Sequence, residues 1–272
     1  MQRILITGAA GSIGGVLRGG LRGHYPIIRL TDIAVLGDAG PGEEIVTADL
    51  CDLAQMEAAM VDVDAVVHLG GTSVESDWES IHANNIVGLY NTFEAARRRG
   101  VSRIVFASSN HAIGFYRRDR RIDDAVAPRP DTRYGVSKLF GEGLARLYAD
   151  KHGIGAACLR IGSFQKRPLN IRMLSTWISH RDMVQLVRCC LDAPALHFEI
   201  VYGASGNSRS WWDNSAAIRL GYAPEDNAED YADEILAAEC LEPGKGEDAV
   251  ESLFHGGPFT SLEFDGNTDN IE

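Results

Sequence analysis

Through the first 160 residues, short apolar runs alternate with longer stretches in which apolar residues return every three or four positions. The runs Arg3–Thr7, Ile27–Leu30, Glu44–Ala48, Ala65–Leu69, Arg103–Ala107 and Ala156–Ile161 show little polar alternation. That is the pattern of strands covered on both faces of a parallel sheet. Helical spacing falls on Ile13–Arg22, Leu53–Met60, Trp78–Arg99 and Thr132–His152. Strand and helix in repeated alternation predict an α/β chain with a doubly wound parallel sheet. Turn formers in Leu36–Glu43 (LGDAGPGE) predict a tight connection there. After residue 162 the pattern loosens. A helix over His180–Leu191 and a strand over Phe198–Tyr202 are legible, whereas Ser210–Asn214 (SWWDN) and the acidic tail are irregular. The expected organisation is a core over residues 1–162 and a small, partly helical C-terminal lobe and tail over 163–272, resting on the same domain.

Charge narrows the partners. The 272 residues include 26 basic and 38 acidic side chains, a net charge of −12. Such a surface repels nucleic acid and anionic membranes, and an acidic substrate would need a local cationic anchor. Five cysteines (Cys51, Cys158, Cys189, Cys190, Cys240) are an odd set without Cys-x-x-Cys spacing. They predict reduced thiols in a cytoplasmic protein, with neither a disulfide framework nor a metal site. The first residues, MQRILITGAAG, lack the apolar core of a leader, and no run approaches a membrane span.

Directly after the first predicted strand comes TGAAGSIG, with Gly8, Gly11 and Gly14 at three-residue spacing and Ser12-Ile13 opening a helix. Glycines at these positions let the backbone approach a pyrophosphate, whose charge sits at the helix N-terminus. Asp32 ends the second strand. A carboxylate there accepts both ribose hydroxyls and repels a 2′-phosphate, selecting NAD over NADP; a turn or helix cap is its other reading. The fold expected is therefore Rossmann-type. Arg29 lies on the strand and is not taken as a phosphate ligand.

YGVSK places Tyr134 and Lys138 four residues apart, on one helix face. A tyrosine titrating at about 10 is a poor base at neutral pH, and a neighbouring lysine charge favours its phenolate. Ser109 ends the strand RIVFASS, 25 residues upstream. Its hydroxyl can bond the same substrate oxygen that Tyr134 deprotonates. Alone, the Tyr-x-x-x-Lys pair would read as a helix-surface pair; the glycine loop and strand-end serine make it catalytic.

These features resemble the extended short-chain dehydrogenase/reductase superfamily. The matching residues are TGAAGSIG, Asp32, Asp49-Leu50, His68 with the following glycines, Asn85-x-x-Gly88-x-x-Asn91, Ser108-Ser109 and Tyr134-x-x-x-Lys138, across residues 3–162. The resemblance implies NAD as cofactor, with Asp49 and Leu50 near the adenine. It also implies that Leu69, Gly70, Gly71, Thr72 and Ser73 line the cofactor, and that Lys138 bonds the nicotinamide ribose. Asn85 would help hold the lysine and a water, unless it is a packing residue inside its helix.

Further segments are similar to the uronate dehydrogenase family almost end to end: HLGGTSVE, IVGLYN, RIVFASSNHAIG, LRIGS, RMLSTWIS, VYGAS and SWWDN. Members oxidise the anomeric carbon of D-glucuronate or D-galacturonate with NAD, giving an aldarolactone in uronic acid catabolism. On that resemblance Ser73, Ser109, Asn110, His111, Tyr134, Ser163 and Arg172 contact the sugar acid, and Phe164 touches the nicotinamide side. It also implies a homo-oligomer paired through the helices Trp78–Arg99 and Thr132–His152. From the residues alone Arg172 is equally a surface arginine, although a guanidinium fork suits a uronate carboxylate. His111 reads as a loop histidine satisfied by backbone, His68 as structural, and Trp211 and Trp212 as packing. The chain departs from the family over Phe164–Asn170, where a cysteine is expected at Phe164, and after Gly257. Two rivals fit less well. Nucleotide-sugar epimerases and dehydratases need a longer C-terminal part than the roughly 110 residues after Ile161, and NAD-sensing regulators usually lack the Tyr-x-x-x-Lys pair.

Overall fold

The computed structural model describes residues 1–241 and 248–271, with side chains to residue 238 and again from 248. In chain order the strands are β1 Arg3–Thr7, β2 Ile27–Thr31, β3 Glu43–Ile45, β4 Ala65–His68, β5 Arg103–Ser109, β6 Gly155–Ile161, β7 Ser163–Phe164, β8 Trp177–Ile178 and β9 Phe198–Gly203. The α-helices are α1 Ser12–Gly20, α2 Leu53–Ala59, α3 Trp78–Ile81, α4 Gly88–Arg99, α5 Arg133–His152, α6 Met173–Thr176, α7 His180–Asp192, α8 Ser215–Arg219, α9 Ala232–Leu241 and α10 Pro258–Ser261.

Seven strands form one sheet in the order β3-β2-β1-β4-β5-β6-β9, with β7 and β8 as a separate pair. Every pairing in the large sheet is parallel. Alternation along each strand divides the core in two. Ile4, Ile6, Ile28, Leu30, Val67 and Leu159 face Leu17 of α1, Leu21 just past its end, and Met183, Leu186 and Val187 of α7. Leu5, Val66, Ile104, Phe106 and Cys158 face Met56 of α2, Leu89 and Phe93 of α4, and Leu144 and Tyr148 of α5. The strand order reverses direction between β1 and β4, and ligands of open α/β sheets bind outside the carboxyl ends at such a point.

The doubly wound sheet expected from the apolar runs is the one found. Two elements differ from expectation. The third strand stops at Ile45, because the chain leaves the sheet edge after Val46 N donates to Leu30 O (3.0 Å). The helix over Trp78–Arg99 is interrupted by a π-turn at His82–Val87, a rare element that often marks a functional site. Among the described cysteines Cys51, Cys158, Cys189 and Cys190 are free thiols; the side chain of Cys240 lies outside the described residues. No helix among the described residues is long and apolar enough to cross a membrane.

Candidate active site

The glycine loop follows β1 and packs against the chain leaving β4. Gly8 adopts φ +65°, and a side chain there would stand 2.7 Å from Gly70 N. At Gly14 a Cβ would lie 2.6 Å from Gly8 O and 2.7 Å from Ala9 Cα. Only glycine fits at both. Gly11 precedes α1 and no side chain caps that helix, so the first amide N–H groups, at Ser12, Ile13 and Gly14, suit an outside anion. Asp32 sits half-buried just past β2. Each carboxylate oxygen accepts one backbone N–H, from Ala10 and from Ala34, both at 3.0 Å. The turn-capping reading of Asp32 is thus realised, and each oxygen keeps further acceptor capacity. Asp49 is exposed and caps the next turn through Cys51 N (2.8 Å). Leu50 packs its side chain toward Gly70, where a Cβ would be 2.7 Å from Leu50 Cδ1. Asn91 Nδ2 holds Leu50 O at 2.9 Å.

The stretch 69–73 is tied down from below. Leu69 N donates to Thr7 O and Gly70 N to Thr7 Oγ1, each at 3.3 Å. Asn85, buried in the π-turn, accepts from Thr72 N (2.8 Å) and donates to Thr72 O (3.0 Å) and Ser137 Oγ (2.9 Å). Its amide links this loop to α5 and makes no direct hydrogen bond to Lys138. Gly71 and Ser73 are exposed. His68 is buried, hydrogen-bonded to Thr7 Oγ1 at 2.8 Å, and held near 3 by burial. A neutral, sequestered imidazole of this kind is structural. Arg29 bonds Glu44 and two carbonyls on the α2 side of the sheet, away from any phosphate.

Tyr134 and Lys138 project from the first turns of α5 beside the end of β5, both buried. Lys138 Nζ donates to Ala107 O at 2.8 Å and lies 5.2 Å from the Tyr134 ring centre. Burial pushes the phenol up to about 12, opposed by its hydrogen bond with the Ser109 hydroxyl. Burial also brings the Lys138 ammonium down to about 8. Desolvation therefore outweighs the expected help of the lysine charge to the phenolate. Beneath the site a buried pair fixes the helix: Glu142 accepts from Ser108 Oγ (2.7 Å) and from Arg160 Nε and Nη2 (both 2.9 Å).

A second cluster lies past the ends of β5 and β6. Ser109 caps the 3₁₀ turn Asn110–Ile113 by accepting from His111 N (3.2 Å). In the amide orientation that satisfies both its groups, Asn110 donates to Ile161 O (3.0 Å) and accepts from Arg172 Nη2 (2.9 Å). Arg172 is buried, and its Nη1 donates to Ser163 Oγ at 3.2 Å. Its Nε and Nη2 both donate to His255 O, at 3.0 and 2.7 Å. Of the fork expected for a carboxylate, the Nε–Nη2 edge is therefore taken by a backbone carbonyl, and Nη1 and Nη2 also meet Ser163 and Asn110. Phe164 stacks on His180 (4.7 Å between centres). Trp212 packs on Tyr202 and Trp211 on His255, the packing roles expected of the tryptophans.

Ser109, Asn110, His111, Tyr134, Lys138, Ser163 and Arg172 thus converge past the ends of β5 and β6, while Gly8, Gly11, Gly14 and Asp32 gather past β1 and β2. Several contributors have no signal in the sequence. Glu75 accepts from Tyr134 N (2.8 Å) and pairs with Arg133 (2.8 Å). Phe259 stacks on His111 at 4.0 Å, and Asp131 bonds its ring. Only Thr132, whose Oγ1 accepts from Gly135 N (3.0 Å), was legible as a helix start. Among the described residues no three His, Cys, Asp or Glu side chains are placed to hold a metal ion.

The family model for the NAD dependent epimerase/dehydratase family matches residues 4–195. A uronate dehydrogenase of Agrobacterium fabrum is 49% identical over 95% of this chain and 97% of its own. The crystal structure of a glucuronic acid dehydrogenase from Chromohalobacter salexigens superposes with a TM-score of 0.91 at 44% identity, covering 99% of both chains. A uronate dehydrogenase from Agrobacterium tumefaciens, a tyrosine-to-alanine mutant complexed with NAD, has a TM-score of 0.91 at 48% identity over 96% of this chain and 97% of that one. With 192 residues under one family model and near-complete overlap with these relatives, the chain belongs to the NAD dependent epimerase/dehydratase family and, within it, to the uronate dehydrogenases.

Proposed function

We propose that the protein oxidises a hexuronate, D-glucuronate or D-galacturonate, at the anomeric carbon to the aldarolactone, with NAD as acceptor. The observation that carries this reading is the Ser109–Tyr134–Lys138 cluster within reach of Arg172. Catalytic groups and a cationic anchor gather past the ends of β5 and β6 in a chain whose net charge is −12. The glycines at 8, 14 and 70 let the loops after β1 and β4 pack backbone against backbone, and the uncapped start of α1 suits a pyrophosphate. Gly8, Gly11, Ser12, Ile13 and Gly14 hold the phosphates, and Asp32 the adenine ribose. Asp49 and Leu50 border the adenine, the 69–73 stretch lines the cofactor, and Phe164 flanks the nicotinamide. When bound, NAD supplies the two-electron acceptor for the hydrogen leaving the anomeric carbon.

Tyr134 takes the proton of the anomeric hydroxyl as the ring C–H bond breaks, and the C–O bond becomes the lactone carbonyl. Ser109 donates to or accepts from that same oxygen and so fixes its distance from Tyr134. Lys138, as the ammonium, stabilises the phenolate and bonds the nicotinamide ribose. The buried guanidinium of Arg172, between Ser163 and Asn110, supplies the positive charge that receives the carboxylate, with Asn110, Ser163, Ser73 and His111 on the remaining sugar oxygens. Exposed Tyr90, Val136, Phe140 and Leu147 lie on α4 and α5, the face through which a second copy packs. The protein works in the cytoplasm, as its free thiols suggest.

Initial NADH formation is measured with glucuronate, galacturonate, glucose and galactose. Activity confined to the two acids is expected; equal rates on the neutral sugars refute the carboxylate anchor. Tyr134→Phe is expected to lose about 10²–10⁴-fold in turnover with NAD affinity unchanged, and near-normal turnover would refute its role.

A further inference from the structure

Asp131 has no part in the reading above, yet it is among the most enclosed carboxylates near the site. Its side chain is fully shielded from solvent. Oδ2 meets Nδ1 of His111 at 2.7 Å, and Oδ1 accepts from the Thr132 hydroxyl at 3.0 Å. Asp131 N also donates to His111 O (3.3 Å), so backbone and side chain clamp the two residues together. The chain makes room for this carboxylate: a Cβ at either Gly114 or Gly256 would overlap it. Phe259 covers one ring face of His111, nearly parallel at 4.0 Å, and Tyr134 meets the ring edge-on at 5.8 Å.

An ionised carboxylate only accepts hydrogen bonds, so the imidazole nitrogen facing it carries a proton. Nε2, across the ring, is then the polar edge left for another partner. An imidazole without such a partner exchanges tautomers and turns about its side-chain bonds.

We propose that Asp131 is a positioning residue for uronate binding: its carboxylate keeps the proton on Nδ1 of His111 and fixes the ring so that Nε2 is the edge offered to the sugar. This rests on the reading of His111 as a substrate contact. Phe259 acts with Asp131 by holding the ring plane.

The test is a double-substitution cycle on the full-length enzyme. Uronate KM, kcat, the NAD dissociation constant and the melting temperature are measured for Asp131→Asn, His111→Ala and the double variant. Each single change is expected to raise the uronate KM about tenfold, the size of one lost hydrogen bond of about 1.4 kcal/mol, with kcat less affected and NAD affinity held. In the His111→Ala background, Asp131→Asn is expected to add nothing. A full additional cost there would overturn the proposal while leaving His111 as a contact. An unchanged KM in His111→Ala would instead overturn the reading of His111 and the proposal with it. Should Asp131→Asn fail to fold, ¹⁵N spectra of histidine-labelled wild-type protein decide the matter, with His111 assigned by its loss in His111→Ala. A protonated Nδ1 is expected; a bare Nδ1 overturns the proposal.

Discussion

Gly135 follows the proposed base and lies where α5 crosses the 3₁₀ turn of the proposed sugar site. A Cβ at this position would overlap the His111 carbonyl oxygen and stand 3.0 Å from its carbon and 3.3 Å from Asp131 Oδ1. These are backbone and buried-carboxylate atoms that cannot swing aside. Restoring ordinary contact, about 3.5 Å or more, moves the start of α5 away from β5 by about 1 Å. Tyr134 moves with it, whereas Ser109 stays on the strand. A misplacement of about 1 Å at reacting groups costs about 10²-fold, so Gly135→Ala is expected to lower kcat by about that factor. Stability should change far less in proportion, because overpacking of about 1–3 kcal/mol is partly offset by about 1 kcal/mol of helix preference for alanine. Gly19→Ala in α1, where a Cβ meets nothing within 4 Å, serves as control and should keep wild-type rates. The assay is NADH formation at saturating NAD and galacturonate, alongside NAD titration and thermal melting. A kcat for Gly135→Ala within about threefold of wild type would refute the reasoning.

Arg172→Lys keeps the charge but cannot serve Asn110, Ser163, His255 and a carboxylate at once. The uronate KM should rise about 10–100-fold with the NAD KM unchanged; an equal rise for both would refute the anchor. The pH profile follows from the low Lys138 and high Tyr134 values. The pair sheds its first proton near pH 8, so kcat/KM should rise through that pH and remain high above it. Lys138→Met should move the rising limb upward by about one unit or more, toward the buried phenol's own range; superposable profiles would remove the pairing. Asp32→Asn should weaken NAD about tenfold and narrow the gap to NADP, and an unchanged ratio of the two cofactors would count against a ribose contact.

The sheet was legible because its strands are buried on both faces and therefore read as unbroken apolar runs, as in Ile4–Ile6 and Ala65–Val67. The proposed catalytic pair was legible because a four-residue spacing on a helix needs no tertiary information. The π-turn at His82–Val87 was not, since the extra residue is accommodated where Asn85 reaches across to the Thr72 backbone. The partners of Arg172 and His111 were equally hidden. His255 lies 83 residues beyond Arg172, and Phe259 reaches His111 from the far end of the chain. Local pattern says nothing of which distant carbonyl a guanidinium will meet. Burial also reversed one electrostatic expectation: Tyr134 titrates higher than a free phenol, because desolvation is set by the packed neighbourhood and not by the one lysine visible in the motif.

Glu142 and Arg160 carry a consequence for how this chain can change. Their carboxylate and guanidinium meet beneath Ser108, almost sealed from water, with side-chain exposures of 7% and 2%. Losing either partner strands the other's charge in the interior at about 3–5 kcal/mol, whereas replacing both by well-packed apolar residues is often neutral or stabilising. With total stability only about 5–15 kcal/mol, the single-step variants fall into a valley between two viable sequences. A lineage carrying this pair can therefore trade it for an oily core only by changing both positions together, or by first acquiring stability elsewhere.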